Sequence, residues 1–261
     1  MGKITSALKK AAEERLGRIE RMSQIRDRDS MIVKKMRESK VDASIIAYFD
    51  PKAVISEQYK ILRTNLLSVN KGKPPKIFIL TSSLPSEGKT VTSLNVAFVL
   101  SQSVNKPRVL FVDSDLRRGR AAKYLGVDQK NGFTEYLQGQ CSLEEVMFHL
   151  EDENLSFIVA GSVPENPAEL MASDKMKQFL DYVRPNFDHV IIDTPPIISV
   201  TDAGIVGAMV DGVIMVIQAG RTQRGIVKRA EELLHQAHSN VIGHVLTNIE
   251  YHLPEYIYRY L

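Results

Sequence analysis

KIFILTSSLPSEGKTVTSLNVAFVL, residues 76–100, decides the architecture. Lys76 to Ser82 carries a near-continuous apolar run, the pattern of a strand buried on both faces of a sheet. From Gly88 to Ser103 the pattern is that of a helix. A strand that passes through a short bend into a helix is the setting a phosphate-binding P-loop requires. The bend turns backbone N–H groups toward phosphate oxygens, and the helix N-terminus adds partial positive charge. Ser86, Glu87, Gly88 and Val91 shape such a loop. Lys89 reaches the β- and γ-phosphates, and the Thr90 hydroxyl binds Mg²⁺. One position departs from GxxxxGK[ST]: Ser83 stands where the first glycine belongs.

Working outward, strands are expected at 108–115, 155–161, 189–196, 211–220 and 241–249. Helical patterns lie between most of them, notably 173–184, 201–209 and 222–238. Val- and Ile-rich strands alternating with helices predict a doubly wound α/β fold with a mainly parallel sheet. Ligands in such folds sit beyond the carboxyl ends of the strands. Two further segments there carry chemistry. In VLFVDSDLRRG, Asp113 and Asp115 close a strand, and period-two alternation puts both carboxylates on one face. Paired carboxylates beside Mg–ATP bind metal or serve as a general base. Arg117 holds phosphate or orients an aspartate. In VIIDTPP, Asp193 follows apolar strand residues as a Walker-B aspartate does, and Pro195 and Pro196 stop the strand.

Composition narrows the alternatives. The chain has 261 residues, 44% hydrophobic and 25% charged, with a net charge of +3. Cys141 is its one cysteine. That excludes an internal disulfide framework or a Cys-ligated zinc or iron–sulfur site, and it fits a reducing compartment. No apolar run approaches the ~20 residues needed to span a bilayer, so a cytoplasmic protein is expected. The charge is unevenly spread: residues 1–40 hold twelve Lys and Arg against six Asp and Glu. Ile4, Leu8, Ala12, Leu16, Ile19 and Met22 recur at helical spacing within this arm. A basic helical extension over 1–50 is expected ahead of a main domain over 51–261, with a docking role. A helix from about Ala53 to Val69 opens the main domain.

At TSSLPSEGKTVTSLNVA, VLFVDSDLRRG and VIIDTPP the chain resembles the bacterial tyrosine kinases of capsule and exopolysaccharide synthesis, P-loop proteins related to the MinD/ParA ATPases. GSVPENPAELM (161–171) is similar to their Asn-Pro-x-Glu-Leu loop. MinD/ParA proteins proper carry an early P-loop lysine, where Leu84 stands here. The resemblance implies ATP and Mg²⁺ as cofactors. Lys89 would contact phosphates, Thr90 and Asp113 would bind metal with Asp193 supporting them, and Asp115 would accept the tyrosine proton. SEQYKILRTNL is similar to the family's oligomerisation helix, with Glu57 and Arg63 matching and Lys60 replacing an arginine. It implies a homo-oligomeric ring such as the family's octamer. Tyr251, Tyr256, Tyr258 and Tyr260 are candidates for the tyrosine cluster that the family phosphorylates in trans; the alternative, from Leu253, Pro254, Ile257 and Leu261 and the alternation of the last three tyrosines, is a packed structural tail. A membrane activator of the chain-length-determinant type, recruitment to the inner face of the membrane and a cognate tyrosine phosphatase follow as expected partners, and no nucleic acid. The function expected is therefore a tyrosine autokinase of polysaccharide assembly. The alternative is a MinD/ParA-type regulatory ATPase switch.

Overall fold

The computed structural model describes residues 38–69, 76–128, 130–149 and 154–249. The expected helix along 4–22, the basic arm to residue 37, and Tyr251, Tyr256, Tyr258 and Tyr260 lie outside the described residues.

Seven strands form one sheet: β1 (Ile77–Ser82), β2 (Val109–Asp113), β3 (Met147–His149), β4 (Leu155–Ile158), β5 (His189–Asp193), β6 (Gly212–Gln218) and β7 (Val241–Thr247). Their order is β3-β4-β2-β5-β1-β6-β7. Every pairing is parallel except β3 with β4. The helices are α1 (Ile46–Phe49), α2 (Val54–Ser68), α3 (Lys89–Ser101), α4 (Ala121–Leu125), α5 (Phe133–Leu137), α6 (Leu143–Val146), α7 (Pro167–Met171), α8 (Asp174–Asn186), α9 (Asp202–Gly207) and α10 (Arg224–Gln236).

The sheet is wound on both sides, and the strand residues divide accordingly. Ile77, Ile79, Leu110, Val112, Val190, Ile192, Val213 and Met215 pack against α5 to α10. Their neighbours Phe78, Leu80, Val109, Phe111, Ile191, Ile214 and Val216 pack against α1 to α4. Period-two side-chain direction makes this division. It also explains why both sets are apolar, since a parallel sheet covered on each face has no wet side. Helix α3 lies almost wholly inside, with twelve of its residues buried.

Apolar packing begins at Val41, ahead of Pro51: Val41, Ile45, Ala47 and Phe49 all lie in the core. Asn95 of α3 fastens this entry segment. Its carbonyl oxygen accepts the Ala47 N–H at 2.9 Å, and its amide donates to the Ser44 carbonyl at 3.1 Å. At the opposite end of the sheet, Asp211 accepts the N–H groups of Lys76 and Ile77 at 2.9 and 2.8 Å and pairs with Arg184 at 2.9 Å. That pins the start of β1. The edge strand β3 has three residues, and Phe148 stacks on Phe157 with ring centroids 5.4 Å apart.

The order of the central strands positions the site. β1, β5 and β2 are neighbours, and Asp193 is in register with both Leu80 and Asp113. The ends of three adjacent strands thereby deliver the bend after β1, Asp193 and the Asp113–Asp115 segment to one edge.

Candidate active site

The bend from Ser83 to Gly88 curls because two of its residues are left-handed: Ser86 has φ +66° and Gly88 φ +87°. A side chain at residue 88 would meet Thr247 only at ordinary contact distance, 3.5 Å. Backbone conformation, not space, therefore calls for glycine there. Ser86 lacks that freedom, and holding it left-handed costs about 1–3 kcal/mol. The braces around it offset this cost. The Glu87 carboxylate accepts the Leu84 N–H at 2.6 Å, the Gln218 N–H at 3.3 Å and the Thr222 hydroxyl. The Thr247 hydroxyl donates to the Glu87 carbonyl at 2.7 Å. Glu87, expected at the ligand, thus commits its carboxylate to Leu84, the end of β6 and the turn that follows it, while its carbonyl is tied to the end of β7.

Behind the bend, Lys89 and Thr90 open α3 and meet the carboxylates. Lys89 Nζ lies 3.2 Å from Asp193 Oδ2 and 3.4 Å from Asp115 Oδ2. The Thr90 hydroxyl donates to Asp193 Oδ2 at 2.6 Å, and the Ser93 hydroxyl contacts Asp193 Oδ1 at 3.1 Å. Burial would lower the Lys89 ammonium pKa, but Asp193, Asp115 and Asp113 outweigh burial and raise it. Burial raises the Asp193 carboxyl against the opposing pull of Lys89 and Thr90.

Asp113 sits differently. The strand ends at this residue, so period-two alternation does not carry on to Asp115. Asp113 Oδ2 accepts the N–H groups of Arg120 and Ala121, each at 2.9 Å, and Oδ1 accepts the Asp115 N–H at 3.1 Å. Full burial and the neighbouring Asp193 push its carboxyl up to about 7, against the Ala121 N–H and Lys89. The Asp113 carboxylate therefore binds its own loop, and it lies with Asp193 behind the cleft lining, whereas Asp115 is on that lining. Arg117, also on that wall, makes a two-pronged pair with the buried Asp202 at 3.2 and 3.3 Å.

These groups border a cleft of about 460 Å³, lined among others by Ser86, Glu87, Gly88, Lys89, Thr90, Val91, Asp115, Arg117 and the Pro195–Pro196 turn. The volume falls within the range of small-molecule sites. Curled backbone amides, an ammonium and a hydroxyl suit a polyphosphate, and hard oxygen donors suit Mg²⁺. Among the described residues no group of three or more His, Cys, Asp or Glu gathers into a metal cage.

Away from the cleft, the expected oligomerisation residues bond within the chain. Glu57 and Lys60 pair at 2.8 Å. Arg63 donates to the Val99 carbonyl at 2.5 Å and the Ser103 hydroxyl at 3.1 Å. Val54, Ile55 and Ile61 stand exposed beside them on α2. The loop similar to Asn-Pro-x-Glu-Leu leads into α7, with Pro167 in its first turn. Glu135 holds that loop by accepting the N–H and hydroxyl of Ser162 while also accepting the Gly132 N–H. Burial raises the Glu135 carboxyl, but these hydrogen bonds prevail and lower it. Sequence reasoning missed Ser93, Glu135, Asp202 and Thr247. Ser93 alone carried a signal, since its spacing from Lys89 and Thr90 puts it on their helical face.

Among the described residues no helix is long and apolar enough to cross a membrane. The sequence pattern of the AAA domain family matches residues 86–241. The chain is 34% identical over 216 residues to the tyrosine-protein kinase YwqD of Bacillus subtilis, covering 83% of this chain and 90% of YwqD. It is 35% identical over 204 residues to the tyrosine-protein kinase Etk of Escherichia coli, covering 78% of this chain and only 28% of Etk. The solved kinase domain of Etk superposes with a TM-score of 0.74 at 32% identity, over 80% of this chain and 83% of that domain. The same strand ends, bend and acidic pair thus come with a likeness that runs nearly the whole length of YwqD, and the chain belongs to the bacterial tyrosine-protein kinases.

Proposed function

We propose that the chain is an ATP- and Mg²⁺-dependent tyrosine kinase that phosphorylates copies of itself and acts in capsule or exopolysaccharide assembly and export. The observation that carries this is the meeting of Lys89, Asp115 and Asp193 behind a left-handed phosphate-binding bend. Thr90 and Asp193 would hold Mg²⁺, and Lys89 would face the phosphates. Bound Mg–ATP supplies the phosphoryl group and offsets its charge. Asp115 is the group on the cleft wall fit to take the tyrosine hydroxyl proton. We assign Asp113 to the same metal shell, and its hydrogen bonds to the Asp115, Arg120 and Ala121 N–H groups also hold the Asp115 loop.

Incubation with γ-labelled ATP followed by intact-mass analysis tests this reading. Phosphotyrosine on the native chain, lost in Asp115→Asn with nucleotide binding retained, is the expected result. Release of free phosphate alone would favour the ATPase switch, and neither product would leave only a nucleotide-binding scaffold.

The acceptors we assign are Tyr251, Tyr256, Tyr258 and Tyr260, and a chain with all four changed to Phe should no longer label. Each phosphate adds about −1.5 to −2 charges, so neighbouring tails would repel and loosen a ring. The exposed Val54, Ile55 and Ile61 of α2 support such a ring, and sedimentation of Ile55→Glu tests it. The basic arm is the proposed contact with a membrane activator. Removing residues 1–37 should abolish membrane recruitment in cells, and a cognate phosphatase would reset the cycle.

A further inference from the structure

The loop that follows β2 places three arginines on the cleft wall, and among the described residues a carboxylate engages one of them. Arg117 is paired with Asp202, whereas no carboxylate of the described residues pairs with Arg118 or Arg120. Both are exposed and line the mouth of the cleft beside Tyr124. Their backbones are nonetheless fixed. The Arg118 N–H donates to Asp115 Oδ1 at 3.1 Å and the Arg120 N–H to Asp113 Oδ2 at 2.9 Å. Two uncommitted guanidinium groups are therefore carried on the same short turn as the proposed base, at a set distance along the chain from it.

An independent observation lies in the sequence. Glu-Tyr occurs three times, at 135–136, 250–251 and 255–256. Tyr136 is buried in the core, and among the proposed acceptors Tyr251 and Tyr256 are the two directly preceded by glutamate. In an extended peptide adjacent side chains point to opposite sides. A tyrosine directed into the cleft toward Asp115 would therefore turn the residue before it outward, to the rim. We propose that Arg118 and Arg120 are specificity-determining residues that read a carboxylate immediately ahead of the acceptor tyrosine, so that Tyr251 and Tyr256 are taken before Tyr258 and Tyr260. This rests on the kinase reading of the tail given above. Arginine suits the task, since its fork bonds a carboxylate through two parallel N–H groups.

The test uses the full chain with a synthetic peptide of residues 248–261 and its Glu250→Gln, Glu255→Gln counterpart. The native peptide should show a KM lower by about three- to tenfold, the scale of a partly exposed ion pair or two, with similar kcat. The Arg118→Glu, Arg120→Glu chain should lose that preference and favour a peptide carrying Lys at both glutamate positions. Equal use of both native-type peptides by the unaltered chain would overturn the inference and leave the kinase reading standing. Retention of the native preference by the charge-reversed chain would also overturn it. Phosphorylation of neither peptide would remove the acceptor reading and this inference with it.

Discussion

Lys89→Met is the usual means of silencing a P-loop enzyme, and here it should do more than silence. The ammonium lies 3.2 and 3.4 Å from two carboxylates that are almost entirely buried, with Asp113 close behind. At an effective dielectric of about 20, each contact is worth roughly 5 kcal/mol of attraction. Removing the ammonium returns its own desolvation penalty of several kcal/mol, so the net loss should be about 3–5 kcal/mol, the scale of breaking a buried pair from one side. The loss should depend on pH. Without Lys89 the carboxyls of Asp193 and Asp113, already raised in the folded chain, rise further. The folded state then binds more protons than the unfolded one, and stability falls as pH increases. Urea denaturation at pH 5.5 and pH 8 reads this directly. The variant should lose markedly more stability at pH 8 than at pH 5.5, by about 1.4 kcal/mol for each added unit of carboxyl shift expressed between them. A loss under about 1 kcal/mol, or one equal at both pH values, would refute the view that Lys89 is the counter-charge of the acidic cluster.

Asp211 titrates in the opposite sense. Burial raises its carboxyl, but the Ile77 N–H, Arg184 and the Lys76 N–H prevail and lower it. Its stabilisation is therefore full above pH ~4 and lost as pH falls through the lowered folded value. Asp211→Asn should cost about 1–2 kcal/mol at pH 7 and progressively less toward pH 3, as calorimetry would show. Gly161→Ala would place a methyl 2.1 Å from Glu135 Oε2 and 2.9 Å from the Gly132 nitrogen at φ +82°. A loss of about 2 kcal/mol or more is expected, and an unchanged melting temperature would count against the Glu135 clamp. Arg117→Lys keeps a charge beside Asp202 but not the fork. It should lower stability by about 1 kcal/mol, with Arg117→Ala worse because Asp202 would remain buried and unpaired.

The central strands are legible because burial on both faces leaves an unbroken apolar run, and β1, β2, β5 and β6 fall where those runs lie. β3 is not, since three residues are too few for any period, and Phe148 is held there by a ring in another strand. Among the site residues, Lys89, Thr90, Asp115 and Asp193 could be read from position alone, because a strand end or a helix start dictates where they point. Asp113 could not. Its carboxylate direction depends on amides seven and eight residues later, which turn back to meet it. Glu87 is similar: a residue inside a phosphate-binding motif looks like a ligand group until Gln218 and Thr222, far away in sequence, are seen to hold its side chain. The boundary expected between residues 50 and 51 sets an extension apart from the main domain, yet the tie from Asn95 to Ala47 carries the packed unit back past it.

Thr247, whose hydroxyl grips the carbonyl of Glu87, also sets a leash. Four residues separate it from Tyr251 and thirteen from Tyr260. A fully stretched chain spans at most about 3.6 Å per residue, so Tyr251 can lie no more than about 14 Å from that anchor and Tyr260 about 47 Å. Chain length, counted from a knot tied at the nucleotide loop, thus sets the farthest that each of the proposed acceptor tyrosines can lie from that loop.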